Sequence, residues 1–187
     1  MGRWEPNARG RLEEAALALY GERGYEQVTV AEIAARAGLT ERTFFRHYSD
    51  KREVLFAGSS LLREVLVKAV AEAPDGAPPV DVVGAALAAA GAVLEERREL
   101  ARARQAVIDA NPSLQEREVV KLATLATAVT EALRDRGIPE PAASLAAQSG
   151  IAVFRVAFER WIRETGQRSL PDLVRESFDE LRTLTAT

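Results

Sequence analysis

Hydrophobic positions fall into helical stripes along almost the whole chain. Leu12, Ala15, Ala16, Leu19 and Tyr20 line one face between Arg9 and Arg23, Glu13, Glu14, Glu22 and Arg23 lie off it, and Gly24 supplies a left-handed stop. Thr29-Val30-Ala31-Glu32 has the form of a capping box, so a second, short helix starts at Val30, with Ile33, Ala34 and Ala37 inward and Gly38 ending it. Thr40 caps a third helix, Glu41 to Tyr48, and Asp50-Lys51-Arg52-Glu53 reads as another capping box. That box opens a longer helix through Val54, Leu55, Leu61, Leu62, Val65 and Leu66.

Pro74 to Pro79 is a loop, and the stripes resume in Val80 to about Asp109, Ser113 to Arg136, Pro141 to Thr165 and Leu170 to Leu184. Asn111-Pro112, Gly137 with Pro139, and Gly166 punctuate them. No segment alternates with period two, so no sheet is expected. The pattern predicts an all-α chain of about nine helices in two parts, residues 1–56 and residues 57–187, the first helix of the larger part beginning near Lys51.

Composition narrows the chemistry. The absence of cysteine excludes disulfides, thiolate zinc sites and cysteine nucleophiles, and points to a reducing cytosol. The single histidine, His47, excludes a His-His metal pair, so no metal or cofactor is expected. The N-terminus lacks the apolar stretch of a signal peptide. The longest uncharged run, the 13 residues Val82 to Leu94, falls short of the roughly 18 that suggest a membrane span, and reads as a buried helix. Net charge is −3, with nine Lys/Arg against nine Asp/Glu in residues 1–56 and 16 against 19 in residues 57–187. Any affinity for nucleic acid therefore depends on where the cations sit and not on their number.

The segment Val28 to Lys51, VTVAEIAARAGLTERTFFRHYSDK, describes two short helices joined by a tight glycine turn, then a third capped start: a helix-turn-helix. Phe44 is expected to face the core with Ile33 and Leu39. With its Thr-capped helix, Ala-x-x-Ala-Gly-Leu, Thr-x-x-Thr, two bulky residues, His-Tyr and Lys, the segment resembles the DNA-binding domain of the TetR family of bacterial regulators. Helix placement extends the likeness over Leu12 to Phe56.

The resemblance implies a cytoplasmic homodimer that binds a palindromic double-stranded DNA operator, acts as a repressor and is released by a small-molecule effector. It implies Thr29 and Thr40 at helix starts near DNA, Glu41 and Arg42 facing base edges, and Thr43, Phe45, His47 and Tyr48 touching sugar, phosphate or base. Lys51 would take a backbone phosphate. Arg42 can pair bidentately with guanine, whereas Phe45, where the family often has Tyr, offers only apolar contact such as a thymine methyl. For His47 the competing reading is a surface histidine with no task.

Arg3, Arg9 and Arg11 read either as a basic arm for a minor groove or as an ordinary solvated terminus. In the family the last two long helices build a four-helix dimer interface, which assigns Phe154, Phe158, Trp161, Phe178 and Leu181 to it. Glu95-Glu96-Arg97-Arg98-Glu99 reads as a solvated face with i, i+4 pairing. Gln105, Asp109, Thr124, Gln148 and Arg155 are the polar residues able to serve an effector, whose identity the sequence leaves open. No catalytic constellation is present in the pattern. The rival readings are an all-helical interaction protein that has left DNA and a helical-bundle enzyme using carboxylates.

Overall fold

The computed structural model describes residues 7–164 and 168–186, and among these residues it has nine α-helices and no strand. They are α1 Ala8–Arg23, α2 Val30–Arg36, α3 Glu41–His47, α4 Ser59–Ala71, α5 Pro79–Glu95, α6 Arg98–Asp109, α7 Pro112–Asp135, α8 Ala142–Arg163 and α9 Leu170–Thr185. Single turns of 3-10 helix stand at Tyr25–Gln27 and Glu53–Phe56. The all-helical expectation is borne out. Arg3, Thr165 and Gly166, to which the sequence reading gave roles, lie outside the described residues.

The chain divides into two compact units, and the division is not a single cut near residue 57. Residues through Gly58 form the first unit, the head, together with Arg102–Glu118; Ser59–Ala101 and the chain from Val119 onward form the second. The reason lies in Val107, Ile108 and Leu114, which are buried in the same apolar cluster as Leu12, Ile33, Phe44 and Phe56. Residues expected in the larger part thus complete the core of the smaller one, since a small unit buries proportionately less of its surface.

Two further expectations are corrected. The helix expected from near Lys51 starts at Ser59: the Asp50 carboxylate accepts from the amides of Arg52 and Glu53, at 2.8 and 3.2 Å, and caps only a 3-10 turn. The helix expected from Val80 to Asp109 is two, broken after Glu95. Of the charges there Glu96, Arg97 and Glu99 are exposed, as a solvated face requires, while Glu95 and Arg98 turn inward. Glu95 accepts from the Trp161 indole N–H at 3.3 Å and from the Leu170 amide, the first of α9, at 2.7 Å. Arg98 donates to the carbonyls of Trp161 and Glu164, at 2.5 and 2.9 Å. These bonds tie the α5–α6 joint to the end of α8 and the start of α9, satisfying terminal groups that a helix cannot pair internally.

In the second unit α5 packs against α4, α8 and α9. Its buried residues Val82, Val83, Ala86, Leu87, Ala90 and Gly91 bear out the buried-helix reading of the uncharged run. No helix among the described residues is long and apolar enough to cross a membrane.

Candidate nucleic-acid interface

The helix-turn-helix is assembled by short-range bonds that the sequence dictates. Thr29 accepts from the Glu32 amide at 3.3 Å while its own amide donates to the Glu32 carboxylate at 2.8 Å, closing the capping box at the start of α2. The Thr29 amide, its hydroxyl and Arg23 hold the Glu32 pKa down to about 2. Gly38 takes φ +66 in the turn, a conformation open to glycine, and a Cβ there would stand 2.7 Å from the Arg11 guanidinium. Thr40 then accepts from the Thr43 amide at 3.2 Å and starts α3.

Phe44 fixes the orientation of α3. It is fully buried, and with Ile33 buried and Leu39 packed on the same cluster, the expected inner face is borne out. Glu41, Arg42, Phe45, Arg46 and His47 are exposed, Phe45 to 55%. At 3.6 residues per turn, Arg42 and Arg46 lie about 160° and about 200° around the axis from Phe44, straddling the outermost line of the helix. Phe45 flanks them on one side and half-buried Thr43 on the other.

Two residues expected at DNA are used elsewhere. Lys51 donates to the carbonyls of Tyr25 and Val28, both at 2.9 Å, and of Glu26 at 3.2 Å, and its ammonium stands 4.5 Å from the centre of the Tyr25 ring. An ammonium has three N–H donors, and all three are engaged in closing the loop before α2. Tyr48 is buried; its hydroxyl donates to Glu13 at 3.2 Å and accepts from Arg9 at 3.3 Å. Burial pushes its pKa up to about 12.

The possible basic arm resolves the same way for its described members. Arg9 also donates to the Ala57 carbonyl at 2.9 Å, and Arg11 donates to the Ala37 carbonyl beside the turn. Sequence reasoning missed Arg46, which the structure leaves exposed one turn beyond Arg42. The available signal was the i, i+4 spacing from Arg42 on the face opposite Phe44.

The residues expected at a dimer interface belong to this chain's own core. Trp161, Phe178 and Phe154 are buried in the second unit, and Phe158 and Leu181 pack against that cluster. The outward apolar residues of α8 and α9 are instead Leu145, Val156 and Leu184. Of the polar effector candidates, only Gln105 and Asp109 bond each other. Gln105 bonds Asp109 and Glu118 in the head, the Thr124 hydroxyl bonds the Val120 carbonyl within α7, and Gln148 and Arg155 are exposed on α8.

Comparison with known proteins adds three results. The model of the bacterial regulatory proteins of the tetR family matches residues 12–57, and that of the MftR C-terminal domain matches residues 77–186. The HTH-type transcriptional regulator TcmR of Streptomyces glaucescens is 36% identical over 81 residues, 43% of this chain and 36% of TcmR, so the match spans about a third of that relative's length. Among solved structures, the TetR-family repressor FadR of Thermus thermophilus, in complex with lauroyl-CoA, shares the fold at a TM-score of 0.60, with 24% identity and 96% and 95% of the two chains covered. The TetR-family regulator PfmR, also of Thermus thermophilus, aligns at a TM-score of 0.54, with 25% identity over 90% and 94%.

Proposed function

Because the chain belongs to the TetR family of bacterial regulatory proteins, we propose that it is a cytoplasmic transcriptional repressor, and not an enzyme, that grips a palindromic operator as a homodimer and lets go when a small molecule binds its larger unit. The observation that carries this reading is the outer face of α3, where Arg42 and Arg46 are exposed opposite a fully buried Phe44, with exposed Phe45 beside them. A short helix held by its inner face and cationic on its outer one suits a major groove. Arg42 reads a guanine through its O6 and N7, Phe45 meets a thymine methyl, and Thr29, Thr40, Glu41, Thr43 and His47 border the contact.

Dimerisation places two such helices one DNA turn apart, about 34–36 Å, which is why the operator is a palindrome. Leu145, Val156 and Leu184, on the outward sides of α8 and α9, supply the apolar contact between subunits. The effector acts by changing the separation of the two heads, and a coupling of about 1–3 kcal/mol gives a roughly 5- to 150-fold loss of operator affinity. FadR carries lauroyl-CoA; here the effector is left as a small molecule of unspecified class.

Selection of bound duplexes from a random pool by the full chain, repeated with Arg42→Ala, tests the reading. Recovery of a palindrome is expected, with preference lost at one position per half-site in the variant at a cost of about 1–3 kcal/mol. No enriched sequence would overturn the regulator reading and favour an interaction protein that keeps the fold.

A further inference from the structure

The head is electrically neutral by sequence, and its cations are largely consumed by its own architecture. Arg9 and Arg11 reach backbone carbonyls, Lys51 binds three of them, and Arg23, Arg36 and Arg52 pair with Glu32, Glu22 and Asp50. In the segment the head draws from α6 and α7, Arg104 donates to the Leu55 carbonyl at 2.6 Å and pairs with Glu118, and Arg117 pairs with Glu53. Arg42 and Arg46 make no ion pair or side-chain hydrogen bond among the described residues, and both stand on the outer face of α3.

Resting on the DNA-binding reading, we propose that Arg46 is a DNA contact that holds a backbone phosphate next to the base read by Arg42, taking the place the sequence pattern gave to Lys51. The geometry favours this division. Arg46 lies about 6 Å further along the axis than Arg42, toward the C-terminal end of α3, where the helix leaves the groove and its side chains approach the groove wall. A guanidinium takes a phosphate bidentately and without loss of charge. Lys51 cannot turn to DNA without abandoning three carbonyls and the Tyr25 ring, which would leave those acceptors unpaired. A further consequence is that operator affinity depends shallowly on salt, because the head offers few cations to displace counterions.

The test measures the affinity of the full chain for its selected operator and for a random-sequence duplex over a range of salt. The variants are Arg46→Gln, Arg46→Lys and Lys51→Met, each with a thermal melt. Arg46→Gln should weaken both duplexes by a similar factor and flatten the plot of log K against log salt by about 0.9 per head, about 1.8 for a dimer. Arg46→Lys should restore the slope, and Lys51→Met should lower the melting temperature with the slope unchanged. An unchanged slope in Arg46→Gln, a loss of preference at one base in its place, or a flattened slope in Lys51→Met overturns the assignment. If the wild-type chain prefers no sequence, the regulator reading fails, yet the slope on the random duplex still decides the role of Arg46.

Discussion

In the head, helices are joined largely by aromatic rings and by cations that reach backbone carbonyls; in the second unit, where Arg98 and Arg136 also reach carbonyls at helix ends, the helices meet along their length through alanine and glycine. Tyr20, Tyr25, Phe44, Tyr48 and Phe56 are buried in the head, the Tyr20 hydroxyl donates to the Lys51 carbonyl at 2.8 Å, and the Arg104 guanidinium lies 5.0 Å from the centre of the Phe56 ring. In the second unit Ala86, Ala90, Ala126, Ala143, Ala146, Ala147 and Ala157 are buried in the same cluster as Trp161, and Gly150 faces Val83 and Leu87. The difference follows from size. A few short helices cannot bury enough apolar area to hold their loops, so polar side chains close them. Long helices with small residues approach closely along their length and pack by contact. The head's functional charge is what remains after its structural charge is assigned.

The strongest way to break that comparison is alkali. All three tyrosines of the chain lie in the head. Burial pushes Tyr25 and Tyr48 up to about 12 and Tyr20 higher still. A pKa raised by folding stabilises fully below the unfolded value, near 10, and that stabilisation is lost as pH climbs through the folded value. Between pH 10 and about 12 the head should unfold, with tyrosinate absorbance and loss of helix appearing together. Trp161 in the second unit should keep its buried emission, read in a Trp4→Phe variant so that it alone fluoresces. A shift of that emission in the same transition would show that the two units melt as one.

A smaller effect sharpens the other side. At Gly150 in α8 an added Cβ would lie 2.3 Å from the Cγ1 of Val83 and 3.1 Å from the Cδ1 of Leu87, both on α5. Overpacking costs about 1–3 kcal/mol, and alanine's better helix propensity returns about 1, so Gly150→Ala should destabilise by up to about 2 kcal/mol. Adding Val83→Ala should recover part of that loss in a double-mutant cycle. Additive losses would mean that α5 and α8 are not held apart by this contact.

What the sequence made legible follows the range of the interactions. The capping box at Thr29 and Glu32, the turn at Gly38 and the inner face at Phe44 depend on neighbours within a few positions, and the family pattern repeats them. The break after Glu95 was hidden because it depends on Trp161 and Leu170, and the fate of Lys51 because three carbonyls upstream compete with phosphate for one ammonium. An aromatic stripe at helical spacing has the same appearance whether it faces its own chain or another, and Phe154, Trp161 and Phe178 are buried in this chain's own cluster. Arg46 was passed over because the resemblance directed attention to its neighbours.

The smallest expected effect concerns the acid side of the head. Glu32 closes the capping box of α2, and the Thr29 amide, foremost, with Arg23 and the Thr29 hydroxyl, keeps its carboxyl ionised down to about 2. A pKa lowered by folding stabilises above the unfolded value, near 4.3, and that contribution disappears as pH falls through the folded value. Glu32→Gln keeps a carbonyl oxygen able to accept from Thr29 but removes the titration. Wild type should therefore melt above Glu32→Gln at pH 6, the gap should narrow below pH 4.3, and it should close near pH 2. A gap that stays constant across this range would mean that Glu32 acts by shape alone and that its charge does nothing for α2. A closing gap would tie the stability of the helix beneath the recognition helix to one exposed carboxylate, and would account for Arg23 being held against Glu32 at 2.5 Å and so withheld from DNA.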